Sequence, residues 1–403
     1  GRPGAVFIGF PKDVGLAPTD TVAQLGVGRR IRLGPPDSQE VSLASELISQ
    51  AQRPLLLLGL QSSEPCHAEA LKAFLDQTDL PFVSTFQGAG AWAEPRRGGQ
   101  YAGRVGLFSN QPADRLLEAA DCVVTVGYDP IEYDPEAWNK EKSRPLIVID
   151  SVASDQDRCF LPAAELIADI GLSLEALGPR IQRNQDLYFD GLVAEAASEL
   201  AETVADGPSF AGFPVHPLRV IDELRKVVTS DTTVALDVGS HYIWMNRYFP
   251  ATRARQVLVS NGQQTLGVAL PWAIAAGLAR PQCPVISVSG DGGFLFSAME
   301  LETAKRVGSR FVHLIWNSAS YDMVAFQEEA HYGETSGVEL GSYDVVAYAK
   351  SFGCQGYRIT DPDQLGPVLK EALASPVPVL IDIPIDYSDN SQLMQNVRQD
   401  FLG

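Results

Sequence analysis

Residues Pro284–Gly293 read PVISVSGDGG, and the residues from Ser297 onward read SAMELETAKRV. An uncharged run with Val285, Ile286 and Val288 fits a strand of a parallel sheet covered on both faces, since such strands are apolar throughout rather than alternating. The glycines then mark a turn, and a helix is expected to begin near Ser297. A glycine-rich turn between strand and helix lets backbone N–H groups approach phosphate oxygens. Asp291, at the strand end, offers a hard oxygen to a divalent cation. Taken alone, GDGG also fits a tight turn with an exposed aspartate.

The same alternation extends in both directions. VALDVG (234–239), QVLVSNG (256–262), FVHLIW (311–316) and PVLIDIP (378–384) are strand-like, with helical segments between them. Upstream, AVFIGF opens a second series that continues through PLLLLG (54–59), PFVST (81–85), CVVTVG (122–127) and PLIVID (145–150). The stretch DGLVAEAASELAETVADGPS between the series is acidic, helical and poor in β-branched runs. The expected fold is α/β: two doubly wound parallel-sheet domains, over 1–160 and 211–403, joined by a helical linker over 161–210. A chain of 403 residues is long enough for two such cores.

Composition narrows the function. Lys plus Arg number 31 against 50 Asp plus Glu, a net charge of −19, which argues against nucleic acid and anionic membranes as partners. The longest apolar run, Pro271–Ala279, is far short of the roughly 20 residues of a membrane span. Cys66, Cys122, Cys159, Cys283 and Cys354 form no metal-ligand spacing, and each lies in or near an apolar run. Reduced, buried thiols in a cytoplasmic enzyme are the expectation.

The strand FVHLIW ends in Asn317-Ser318-Ala319-Ser320-Tyr321-Asp322-Met323, and 24 residues separate Gly292 from Asn317. This resembles the thiamine-diphosphate motif, GDG followed about two dozen residues later by Asn, which holds Mg²⁺ on the cofactor's diphosphate. SNGQQTLG (260–267) with VALPWAIAAGLA, and GDGGFLFSAMELETA, YDMVAFQEEAHY, SGVELGSYD, YAKSFG and DYSDN, resemble catabolic acetolactate synthases. In the first half GRPGAVFIGFPKDV, TFQGAGAW, YAGRVGLFSNQ and GYDPIEYDPEAWN resemble the central domain of the same enzymes.

The resemblance implies a carboligase that condenses two 2-oxo acids such as pyruvate with loss of CO₂, using thiamine diphosphate and Mg²⁺. It assigns Asp291 to the metal, with Ser318 and the Ser320 carbonyl beside it and Asn317 as a substitute for Ser318. Gly290, Gly292 and Gly293 would cradle the diphosphate, and Gly239, Ser240 and His241 would contact it from the other side. Leu266 stands where a bulky apolar residue props the cofactor into its bent form; Gln263 and Gln264 line the same strand exit, and Tyr321 and Met323 close over it. Some relatives bind FAD in the central domain, for which Gly88 and Gly90 would mark the cleft, but the catabolic branch does not use flavin and FAD is not expected. His313, inside a strand, reads as a core histidine, and Tyr128, Glu132, Tyr133, Asp134 and Glu136 read as a solvated acidic loop.

Two departures stand out. Ser318 occupies the position of a second metal ligand that is usually Asp or Asn, so one carboxylate or amide is missing. The family also has three domains, and the sequence matches the last two. The resemblance implies that the catalytic glutamate lies in the pyrimidine-binding domain, which is expected to be missing here, so no catalytic residue is assigned. That leaves two alternatives open: a naturally truncated homologue with a thiamine-diphosphate-independent activity in the reused cleft, or a non-catalytic partner of a full-length synthase. A homodimer or higher homo-oligomer is expected, with the Trp244–Tyr248 and Trp272 regions as candidate interface, along with a separate pyrimidine-binding domain as a further partner.

Overall fold

The computed structural model describes residues 6–19, 33–92, 100–140 and 144–393. They form two six-stranded sheets in which every strand pair is parallel. The first comprises β1 (Pro54–Leu58), β2 (Phe82–Thr85), β3 (Tyr101–Val105), β4 (Cys122–Val126), β5 (Leu146–Asp150) and β6 (Ala164–Ile167), in the order β3-β2-β1-β4-β5-β6. The second comprises β7 (Thr233–Leu236), β8 (Val257–Val259), β9 (Val285–Gly290), β10 (Val312–Asn317), β11 (Gln355–Arg358) and β12 (Val379–Pro384), in the order β11-β12-β10-β9-β7-β8.

The uniform apolar runs follow from burial on both faces. Leu56, Leu58, Val124, Val126, Ile147 and Ile149 pack under helices Ser38–Gln50, Ala68–Thr78 and Ile170–Leu177. Leu55, Leu57, Val123, Leu146 and Val148 face helices Pro112–Ala119 and Leu187–Ala205 on the other side. Aspartates start several of these helices; Asp37 accepts from the Gln39 and Glu40 N–H groups, and Asp186 from those of Tyr188 and Phe189.

Four expectations need correction. AVFIGF is not a strand over its described residues 6–10; among the described residues no strand pairs with it, and Phe7 is 95% exposed. Apolarity without a neighbouring ladder does not make a strand. The segment read as linker contains β6, the edge of the first sheet, and helix Leu187–Ala205, whose Phe189, Val193 and Ala196 are buried in that domain's core. It is therefore largely a layer of the first domain, built where apolar spacing on one face outweighs an acidic exterior. The helix expected from Ser297 begins at Asp291 and runs to Ser297, with a second helix over Leu301–Val307. Finally, Cys66 is exposed and Cys283 half-buried, whereas Cys122, Cys159 and Cys354 are buried; all five are free thiols.

The two domains share a core. Phe86, Ala89 and Phe108 from the first pack with Trp244, Met245 and Phe249 of the second. Arg104 of β3 is buried and donates to the carbonyls of Asn246 (2.8 Å) and Phe249 (2.7 Å). It thereby satisfies acceptors at the C-terminal end of helix Ser240–Tyr248, which has no intrahelical donors for them. Trp244 is buried inside the chain, its indole N–H donating to Asn390 (2.7 Å), so this helix is packed within the core rather than offered as an external interface. Trp272 is half-buried. Among the described residues, no helix is long and apolar enough to cross a membrane.

Candidate functional site

Strand order places the site. The chain leaves β7 toward β8 on one side and returns through β9 on the other, so β7 and β9 flank the switch point of the second sheet. Ligands of doubly wound sheets bind in the crevice beyond the C-terminal strand ends at that point. Gly239, Ser240 and His241 follow β7, Gly290 ends β9 with Asp291–Gly293 opening the next helix, and Asn317 ends the neighbouring β10 with Ser318–Ser320 after it. The structure thus brings three of the expected groups together. A Cβ on Gly290 would lie 3.5 Å from His241 Nδ1.

Gly239 has φ 147°, outside the range comfortable for a residue with a side chain, and starts the helix Ser240–Tyr248. Its turn aims His241 inward. His241 is 1% exposed, and its Nε2 has no hydrogen-bond partner among the described residues. Burial pushes its pKa down to about 3, so the ring is neutral at physiological pH. His313, inside β10, is instead bonded on both nitrogens, to Ser287 (2.7 Å) and Ser289 (2.9 Å), as a core histidine.

Asp291 is buried at the first turn of its helix. Its Oδ1 accepts from the Gly292 N–H (2.9 Å), while Oδ2 has no hydrogen-bond partner among the described residues. Desolvation raises its pKa, countered by backbone N–H groups, of which Gly292 contributes most; the loop after the neighbouring β10 lies at the same edge of the sheet. A buried carboxylate oxygen left without a donor is costly unless a cation takes it. The oxygens of Ser318 and Ser320 lie on the same loop, where the Ser318 hydroxyl donates to the Ser320 carbonyl (3.2 Å). One carboxylate with neutral oxygens beside it is a donor set of the hard type that Mg²⁺ takes. Among the described residues no group of three or more His, Cys, Asp or Glu is placed to hold a metal ion.

Asn317 is engaged elsewhere. Its amide donates to Asp382 (2.9 Å) and its carbonyl oxygen accepts from the Ala319 N–H (3.1 Å), while Asp382 also pairs with Arg358. The Tyr321 ring lies on Gly292, where a Cβ would come within 2.4 Å of Tyr321 Cε1. Met323 packs against the second domain's core. On the segment after β8, Gln263 is exposed, Gln264 and Leu266 are half-buried, and the Gln264 amide donates to Asn261 (3.3 Å).

Three features of the site escaped the sequence reading. Asp237, 1% exposed at the end of β7, accepts from the N–H groups of Val238 (2.9 Å), Gly267 (2.9 Å) and Ala269 (3.2 Å). It ties the loop ending at Gly267 and the helix Ala269–Ala279 to the strand exit, and a Cβ on Gly293 would be 3.2 Å from its carboxyl carbon. The signal was an aspartate ending an apolar strand ahead of glycine, the arrangement already singled out at Asp291. The second is a polar cluster. Ser240 donates to Asp322, and the Asn390 amide donates to Asp322 (2.6 Å) and Ser240 (3.1 Å), so the DYSDN segment folds back onto the β7 turn. The third is the loop read as solvated. Tyr128, Glu132 and Tyr133 are buried at 1%, 6% and 6% exposure, whereas Glu136 is exposed.

Comparison with known proteins agrees with this geometry. Residues 237–383 match the C-terminal TPP-binding domain of thiamine pyrophosphate enzymes, and residues 41–177 match their central domain. The chain is 44% identical over 399 residues to an acetolactate synthase of Bacillus subtilis (strain 168), covering 98% of this chain and 69% of the relative. It is 40% identical over 396 residues to the catabolic acetolactate synthase of Raoultella terrigena, covering 98% and 70%. The acetolactate synthase isozyme 2 large subunit of Escherichia coli (strain K12) is 27% identical over 400 residues, covering 97% and 70%.

Proposed function

Because the chain belongs to the acetolactate synthase family of thiamine pyrophosphate enzymes, we propose that it holds the diphosphate and metal end of a carboligase site that condenses two 2-oxo acids with loss of CO₂. The observation that carries the reading is the Oδ2 of buried Asp291, without a hydrogen-bond partner among the described residues, at a strand end neighbouring the one that carries Ser318 and Ser320. When bound, thiamine diphosphate supplies the electron sink for decarboxylation of a 2-oxo acid.

The chain's own residues prepare the site. Asp291 would hold Mg²⁺, with the Ser318 hydroxyl and Ser320 carbonyl as neutral oxygens. The backbone at Gly290, Gly292 and Gly293 would receive the diphosphate, with Gly239, Ser240 and His241 opposite. Asp237 fixes the loop bearing Leu266, the apolar prop. Neutral His241 adds no positive charge to compete with the metal for the diphosphate. Tyr321, seated on Gly292, screens that backbone from solvent.

Calorimetric titration of thiamine diphosphate into the chain, with and without Mg²⁺, tests the reading. Binding that requires Mg²⁺, and acetolactate formation from pyruvate once a pyrimidine-binding domain is present, are the expected results. No binding at millimolar cofactor with Mg²⁺ overturns it and favours a non-catalytic partner or a cofactor-independent use of the cleft.

A further inference from the structure

The first sheet has its own switch point, between β1 and β4, with β2 alongside β1. The crevice beyond those strand ends is where sheets of this topology receive the anionic part of a nucleotide. Here it is filled from within. The carboxylate of Glu132 accepts from the Leu60 N–H through both oxygens (3.0 and 2.9 Å), just beyond β1. It also accepts from the Asp129 N–H (3.0 Å), just beyond β4, and from the Thr85 hydroxyl (2.6 Å) at the end of β2. The Thr85 oxygen in turn accepts from the Gly88 N–H (2.9 Å), in the TFQGAG segment that suggested a nucleotide cleft. One buried side chain therefore gathers donors from three strand exits.

The loop anchored in this way touches the second domain. Asn261, in the segment assigned to the cofactor, donates its amide to the Glu132 carbonyl (2.9 Å), with the Ile131 carbonyl and the Gln87 side-chain oxygen at 3.4 Å. Gly262 sits close enough to Ile131 that a Cβ would meet its Cδ1 at 3.2 Å. Before β8, Arg255 pairs with Glu64 (2.8 Å) of the first domain. The segments on both sides of β8 are thus fastened to the first domain, and the one leading to Gly267 is fastened through the Glu132 loop.

We propose that Glu132 is a positioning residue: its carboxylate takes the place of a ligand anion in the central-domain crevice, and the loop it anchors sets the cofactor segment Ser260–Gly267 through Asn261. The role toward the cofactor rests on the acetolactate synthase reading, whereas the mechanical link from Glu132 to Asn261 does not. Backbone hydrogen exchange of the cofactor-free chain measures that link directly.

Glu132→Ala and Asn261→Ala should each speed exchange across 260–267 by about fivefold to tenfold, the factor expected for one net hydrogen bond in local opening. The double variant should add little to either single change, since both cut the same connection. Glu132→Gln keeps an acceptor oxygen for the Leu60 and Asp129 N–H groups and should restore part of the protection. A local structural role predicts instead that the Glu132 variants loosen 60–64 and 128–134 while 260–267 is unchanged; that pattern overturns the proposal. If Glu132→Ala fails to fold, Glu132→Gln and Asn261→Ala carry the test, and unchanged exchange at 260–267 in Asn261→Ala is equally decisive against it. Thiamine diphosphate titration of the unmodified chain is run separately, so failure to bind cofactor sinks the functional reading without touching the exchange result.

Discussion

Placing a second carboxylate at Ser318 should destabilise the metal-free chain and stabilise the metal-loaded one. Ser318 follows β10, the neighbour of the strand that leads into Asp291, an aspartate whose Oδ2 has no hydrogen-bond partner among the described residues and whose pKa burial already raises. Two carboxylates about 4 Å apart repel by about 4 kcal/mol at an effective dielectric of 20. Ser318 is only half-buried, and relaxation into solvent should leave about 1–2 kcal/mol of net destabilisation in EDTA. A domain of this size shifts by about 2–4 °C per kcal/mol, so Ser318→Asp should melt about 2–8 °C below the parent. With Mg²⁺ and thiamine diphosphate the sign reverses. The added charge then faces a dication, and after dehydration a gain of about 1.4–2.8 kcal/mol, tenfold to a hundredfold in metal affinity, is expected. Asn317→Asp is the control, because that position faces Asp382 rather than the open oxygen of Asp291, and Mg²⁺ should not recover its loss. Thermal unfolding with and without metal, alongside calorimetric Mg²⁺ titration, reads both effects. A shift of the same sign and size in EDTA and in Mg²⁺ would show that Ser318 does not share a cation site with Asp291.

Three further outcomes follow from the packing. Asp237→Ala strands three N–H groups at a buried strand exit and should cost about 3–5 kcal/mol, with exchange at Gly267 and Ala269 rising first in a hydrogen-exchange experiment. Arg104→Ala leaves the Asn246 and Phe249 carbonyls without their donor across the domain boundary; denaturant unfolding should show a loss of about 3 kcal/mol, and an unchanged midpoint would mean the cap carries no weight. Burial pushes the pKa of Glu132 up to about 7. A carboxyl pKa above its unfolded value favours folding below pH 4 or so, and that contribution is lost as pH rises through about 7. Stability should therefore fall between pH 5 and 8 by on the order of 2–3 kcal/mol from this group, and Glu132→Gln should flatten that slope; equal slopes in the two proteins would refute the assignment.

What could be read from the sequence tracks what burial demands. PLLLL, CVVTV, LIVID and VISVSG were legible because interior parallel strands admit almost nothing but uncharged residues, and their uniform burial follows. YAGRV, AELI and QGYR were not read as strands, for the opposite reason: β3, β6 and β11 are edges of their sheets, where one flank is unpaired and polar residues are tolerated. AVFIGF failed in the other direction, being apolar but joined to no ladder among the described residues. At the site, GDGG and the Asn317–Met323 loop stood out because glycine and acidic residues at strand ends are chemically specific. Asp237 and Glu132 did not, because their partners are mostly backbone N–H groups, which no sequence pattern displays.

The sequence by itself determined that two parallel sheets would form, and which turn brings an aspartate to the end of a strand in the second sheet, since both depend on residue chemistry over a few consecutive positions. Only the tertiary structure decided where the domains join and which charges are spent inside. A carboxylate in a loop that looks solvated can become a buried plug if three strand exits converge on it. The contacts that bring in the exits of β2 and β1 run between residues 47 and 72 positions apart in the chain.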